Sequence, residues 1–198
     1  MCGIAGFYHK AKDYREYGTH YRSILTGMHK KLWRRGPDDA GIYLSRHCGL
    51  SHSRLSIRDI SGGHQPMVRT SQGRTCSIAY NGEIYNAKEL RETLEKRGWR
   101  FETTCDTEVI LLGYMEFGSA FVTQLNGIFA CAIYDSAKET LCLFRDPMGV
   151  KPLFYTECQE EIIFASEIKG ILAHPGVKAE AGREGLNEIF GIGPARSV

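Results

Sequence analysis

Paired cysteines, long apolar runs, internal repeats and a strong charge of either sign are all missing from this 198-residue chain. Each absence removes a class of protein. The seven cysteines (Cys2, Cys48, Cys76, Cys105, Cys131, Cys142, Cys158) are odd in number, scattered, and form no C-x-x-C pair. That argues against a disulfide framework and against a zinc knuckle, and it fits a reducing, cytoplasmic compartment. No stretch approaches the roughly 18 apolar residues of a membrane span. The opening MCGIAGFYHKAKDY has no basic start and soon turns polar, so it does not read as a signal peptide. With 25 basic and 23 acidic side chains the formal net charge is only +2, which gives nucleic acid no electrostatic footprint. The most basic stretch, HKKLWRRG at 29–36, reads as the solvated end of a helix, with a polyanion-binding patch as the alternative.

What is present is an ordinary globular composition, 42% hydrophobic and 24% charged, arranged in short alternating runs. GIYLS (41–45) and GLSHSRLSI (49–57) read as a hairpin, and SIAYNGEIY (77–85) as a strand running into an Asn-Gly turn. GIFACAIYD (127–135), ETLCLFRD (139–146), KPLFYTEC (151–158) and EIIFASE (161–167) read as one meander. Helical spacing occurs at 20–34 through Ile24, Met28 and Leu32, and at 87–97 through Leu90 and Leu94 with Asn86 as cap. It occurs again at 107–117 through Val109, Leu112 and Met115, with Asp106 as cap. Antiparallel strands overlaid by a few helices predict an α+β layered domain rather than a parallel doubly wound one. From about residue 180 the pattern changes to EAGREGLNEIFGIGPARSV, which reads as the opening of a further domain.

The histidines lack metal-ligand spacing. Cys48 and His52 would lie about 13 Å apart along a strand, too far to share an ion. No G-x-S-x-G elbow and no phosphate loop occurs. Five stretches carry chemistry, and each also has a plain structural reading. CGIAGF places a thiol and a small glycine before an apolar strand. RRGPDDAG (34–41) is a Pro-Asp turn or part of a site. Arg54, in SRLSIRD, is a surface rung or a guanidinium fork for a carboxylate. YNGEIYN holds Asn81, Gly82 and Glu83, either a type I′ turn or two donors beside an acid. Asp106, in CDTEVI, is a helix cap or an acceptor for an ammonium group. Together they supply what a free amino acid needs: a cation for its carboxylate, two anions for its ammonium, two neutral donors for an oxyanion, and a thiol.

With these motifs in order, and with LNGIFACAIYD and RDPMGVKPLFY…FASEIKGIL behind them, the chain resembles the class II glutamine amidotransferases from residue 2 to about 175. It is most similar to the glutaminase half of glutamine-hydrolysing asparagine synthetases. The resemblance implies an N-terminal nucleophile hydrolase fold, a four-layer αββα sandwich of two antiparallel sheets, over residues 1–185. Residues 186–198 would begin a synthetase domain or linker. It implies L-glutamine as substrate, no cofactor in this domain, and ATP and Mg for the synthetase half, whose SGG-x-D-S loop does not occur here. It also implies roles. Cys2 is the nucleophile, Asn81 and Gly82 form the oxyanion hole, and Glu83 and Asp106 bind the α-ammonium. Arg54, with the backbone through Leu55, Ser56, Ile57 and Arg58, holds the carboxylate. Arg58 departs from the small apolar residue usual at that place. The partners implied are the synthetase domain in cis, with neither membrane nor nucleic acid, and a homodimer is compatible with the sequence. Three alternatives stay open: another carboxylate acceptor, a non-catalytic glutamine-binding module, and a free-standing amidase. The nucleophile reading requires loss of Met1. A free α-amine has a pKa of about 7.7–8.0 and can take the thiol proton near neutral pH, whereas with Met1 attached the Cys2 nitrogen is an amide and no base.

Overall fold

The computed structural model describes residues 1–55, 63–180 and 182–192. Strands β1 (Gly3–Tyr8), β2 (Asp39–Leu44), β3 (Cys48–Arg54), β8 (Phe154–Cys158) and β9 (Glu161–Ala165) form one antiparallel sheet, in the order β2-β3-β1-β9-β8. Strands β4 (Met67–Ser71), β5 (Arg74–Ile84), β6 (Gly127–Asp135) and β7 (Thr140–Arg145) form a second, in sequence order. Helix α1 (Gly18–Leu32) and the short α4 (Ile168–Ile171) cover the first sheet. Helices α2 (Ala87–Lys96) and α3 (Asp106–Phe117) cover the second, and α5 (Arg183–Ile192) follows β9 and α4 in the chain. The expected α+β, four-layer arrangement is the one observed.

Alternation along each strand builds three apolar layers. Ala5, Phe7, Ile163 and Ala165 point outward onto Leu25, Met28 and Leu32 of α1. Cys76, Ile78, Phe129, Cys131 and Ile133 point outward onto the helices α2 and α3. The intervening residues Ile4, Leu50, Ala79, Ala130, Ala132 and Phe164 meet between the sheets. Burial of this kind contributes about 25 cal/mol per Å² of apolar surface removed from water. Among the described residues no helix is long and apolar enough to cross a membrane.

Several local expectations are corrected. The four runs from 127 to 167 are not one meander: β6 and β7 lie in the second sheet, β8 and β9 in the first. The crossover between them is organised by Asp146, which is buried and accepts the backbone N–H groups of Phe129, Val150 and Lys151. Asn81-Gly82 is not a turn. Strand β5 runs straight through it, with Asn81 opposite Ala130 and Gly82 opposite Phe129. The glycine is needed there for close approach, since a Cβ would lie 2.4 Å from the Ile128 carbonyl oxygen. Tight hairpin turns with two positive φ angles sit instead at Gln72 (51°) and Gly73 (76°), after the unanticipated strand β4, and at Gln159 (53°) and Glu160 (63°), between β8 and β9. In α1 the fully buried stripe is Leu25, Met28 and Leu32, while Ile24 packs at its edge. Asn86 stands before α2 but makes no capping bond; its amide bridges to Gln124 and Asn126. Asp106 is the first residue of α3, with Cys105 at the cap position.

One buried carboxylate fixes the approach to α3. Glu108 accepts two bonds from the Arg69 guanidinium at 3.0 and 2.6 Å, one from the Glu102 N–H, and two from Thr103. Burial alone would raise its pKa, but the bonds from Thr103, Glu102 and Arg69 outweigh it and hold the group below the usual range. Its charge is therefore kept, and residues 102–105 are tied down ahead of Asp106. Replacing Glu108 by Ala leaves two N–H groups without their partner and Arg69 with only the exposed carboxylate of Glu102. The expected loss is about 3–5 kcal/mol in urea unfolding, and a stability within experimental error of the parent would contradict this account.

Candidate active site

Inward-facing positions at the ends of three neighbouring strands converge on one cavity. On β3 the alternation that buries Cys48, Leu50 and His52 ends at Arg54, which is 6% exposed. On β1 the parity of Ile4 continues back to Cys2, and on β5 that of Ala79 continues to Asn81. The cavity has a volume of about 380 Å³, enough for one amino-acid-sized molecule, and Cys2, Arg54, Leu55, Asn81, Gly82, Glu83 and Asp106 all line it. Ser56, Ile57 and Arg58 lie outside the described residues. Met1, Gln65, Tyr80, Cys105 and Lys151 are among the other residues of the wall.

Cys2 is held at both ends. Its carbonyl oxygen accepts a bond from Arg35 Nε at 2.9 Å, and its sulfur receives the Leu55 N–H at 3.4 Å. Arg35 is itself anchored by Glu167, at 3.0 Å. Asn81 is 3% exposed, and its side-chain Nδ2 has no hydrogen-bond partner among the described residues. A buried amide donor without an acceptor is costly, and such groups mark places where a ligand oxygen belongs.

Asp106 Oδ2 accepts the Tyr80 hydroxyl at 2.7 Å and the Ile84 N–H at 3.1 Å. Burial raises its pKa, while the bonds from Tyr80 and from backbone N–H groups lower it, and burial prevails. In the wall, the Gln65 side chain continues the ladder just before β4 begins. Its Oε1 accepts the Tyr80 N–H at 2.7 Å and its Nε2 donates to Thr107 Oγ1 at 3.2 Å. From the other sheet, His52 Nε2 lies 3.0 Å from the Tyr80 carbonyl oxygen. A carbonyl can only accept, so His52 carries its proton on Nε2.

Arg35, His52, Gln65 and Tyr80 are the participants that motif reading did not assign. Arg35 stood within the RRGPDDAG segment and Tyr80 at the head of YNGEIYN, so their neighbourhood was visible although their contacts were not. Among the described residues no group of three or more His, Cys, Asp or Glu side chains is placed to hold a metal ion.

A family model described as a glutamine amidotransferase domain matches residues 1–197. The chain belongs to the glutamine amidotransferase domain family. Over 197 residues and its whole length, this amidotransferase domain is 46% identical to a Bacillus subtilis protein named asparagine synthetase [glutamine-hydrolyzing] 3. Over 174 residues it is 38% identical to asparagine synthetase B [glutamine-hydrolyzing] of Escherichia coli. It spans 31% and 30% of those two proteins. Among solved structures, the glutamine phosphoribosylpyrophosphate amidotransferase of B. subtilis matches 85% of the chain, at a TM-score of 0.65 and 24% identity, over 42% of its own length. A structure titled the allosteric regulatory enzyme of purine biosynthesis matches 90%, at 0.70 and 21%, over 44% of its own length. At these identities the structures establish the shared N-terminal nucleophile fold.

The amidotransferase domain has a built-in acid sensitivity at His52. Burial pushes its pKa from 6.5 down to about 4, against a smaller raising effect of the bond to Tyr80. The folded state thus keeps His52 neutral where the unfolded chain would protonate it, so stability is full above pH 6.5 and falls between 6.5 and about 4. The expected loss is about 3 kcal/mol at most. Denaturant midpoints at pH 7 and 4.5 should fall further for the parent than for His52→Gln; parallel curves would reject the assignment.

Proposed function

We propose that this domain hydrolyses L-glutamine to glutamate and ammonia through Cys2 once Met1 is removed. We further propose that it supplies the ammonia to ATP-dependent asparagine synthesis from aspartate in a synthetase domain of the same polypeptide, beginning after about residue 185. The observation that carries the reading is the unpartnered Asn81 amide in the same cavity as the Cys2 thiol. The names of the B. subtilis and E. coli relatives favour aspartate as the acceptor, and in this reading ATP and Mg belong to that other half. A cytoplasmic setting agrees with seven free cysteines.

In this scheme the Cys2 thiol passes its proton to the Cys2 α-amine, and the sulfur attacks the side-chain carbonyl carbon of glutamine. The oxyanion is received by Asn81 Nδ2 and the Gly82 N–H; one such donor commonly contributes about 10²–10³ in rate. Collapse breaks the C–N bond, the amine returns its proton to the leaving nitrogen, and ammonia departs. Water then attacks the thioester, and C–S cleavage restores the thiol and releases glutamate. Arg54 pairs with the substrate carboxylate, while Glu83 and Asp106 receive its ammonium.

Cys2→Ala should abolish ammonia release from glutamine while leaving the fold and glutamine binding intact, as read by a coupled ammonia assay and calorimetry. Turnover retained by that variant would sink the mechanism. Arg54→Ala should weaken glutamine at least tenfold more than it weakens 4-aminobutanamide, which lacks the carboxylate (about 1.4 kcal/mol per tenfold). Equal weakening of the two ligands would reject the role given to Arg54.

A further inference from the structure

Tyr80 is bound at three points by three different parts of the fold. Its N–H is taken by Gln65, its carbonyl by His52 from the opposite sheet, and its hydroxyl by Asp106 at the start of α3. It is 3% exposed and lines the cavity. These bonds act on different subsites. The Tyr80 carbonyl belongs to the peptide unit whose nitrogen is that of Asn81, so fixing this plane sets where the Asn81 amide can reach. The hydroxyl instead fixes the orientation of the Asp106 carboxylate by engaging Oδ2, and that carboxylate lies in the wall of the same cavity.

We propose that Tyr80 is a positioning residue that joins the ammonium subsite at Asp106 to the oxyanion donors at Asn81 and Gly82, and that its hydroxyl makes the site selective for amides bearing an α-ammonium. The proposal rests on the glutaminase reading and adds a division of labour within one residue. The phenol serves recognition of the amino group, and the backbone, gripped by Gln65 and His52, serves the chemical step. A substrate lacking the amino group still uses the backbone half but gains nothing from the phenol.

Tyr80→Phe removes the hydroxyl and keeps the ring in its packing. In the purified protein freed of Met1, hydrolysis of glutamine is compared with that of 4-carbamoylbutanoate, the same amide without the amino group. The variant should raise KM for glutamine about tenfold, the worth of one charge-assisted hydrogen bond, with kcat changed less than about threefold. For 4-carbamoylbutanoate, kcat/KM should move far less. His52→Gln, acting through the backbone half, should lower kcat for both substrates to the same degree. Thermal melts verify that both variants are folded. Equal losses for the two substrates in Tyr80→Phe, or no loss for either, would overturn the proposal while leaving the glutaminase reading intact. A parent protein that releases no ammonia from glutamine would overturn the glutaminase reading and this proposal with it.

Discussion

Two antiparallel sheets lie face to face across a layer in which Ala79, Ala130 and Ala132 meet Ile4, Leu50 and Phe164. The alanines of β5 and β6 let the backbones approach, and the larger residues of β1, β3 and β9 fill the space left over. Because side chains alternate along a strand, the same inward rows continue past the apolar layer to Cys2, Arg54 and Asn81. Those three residues come from distant parts of the chain, and sheet packing is what brings them to one cleft. A shift of pairing by one residue in any of β1, β3 or β5 would send one of them to the helix-covered side.

Two acidic groups near the start of α3 show how local bonding decides the state of a buried charge. Asp106 and Glu108 are two positions apart, the first half-buried and the second fully buried. Glu108 receives five hydrogen bonds, two from a guanidinium, and is pushed toward the charged form. Among the described residues Asp106 receives fewer and none from a cation, and burial pushes it toward the neutral form. The first is a fixed structural charge. The second has no cation beside it among the described residues, which suits the ammonium-binding role proposed for it.

The layered fold and the residues lining the cavity were legible in the sequence because motifs and period-two alternation are local signals. The Asn81–Glu83 run, Arg54 and Asp106 were picked out from the motifs, and Leu55 from the family resemblance. What misled was the dipeptide Asn-Gly, whose turn preference is overridden by the ladder to β6 on one side and the need for close backbone approach at Gly82 on the other. Partition of the later strands between two sheets was also hidden, since residues 146–153, which join β7 to β8 through Asp146, carry no periodic signal of a change of sheet. Tyr80 could not be read at all. Its three bonds run to residues 15, 28 and 26 positions away, and side-chain contacts over such separations leave no periodic trace.

Cys2 is gripped through its carbonyl oxygen by Arg35 and through its sulfur by Leu55, and neither contact involves its nitrogen. The anchor is therefore indifferent to what that nitrogen carries. Cleavage of the bond to Met1 can alter the chemistry of the residue from amide to amine while its thiol keeps the same address in the cleft. Under the proposed mechanism, loss of Met1 would change the protonation chemistry of Cys2 without disturbing these two anchors.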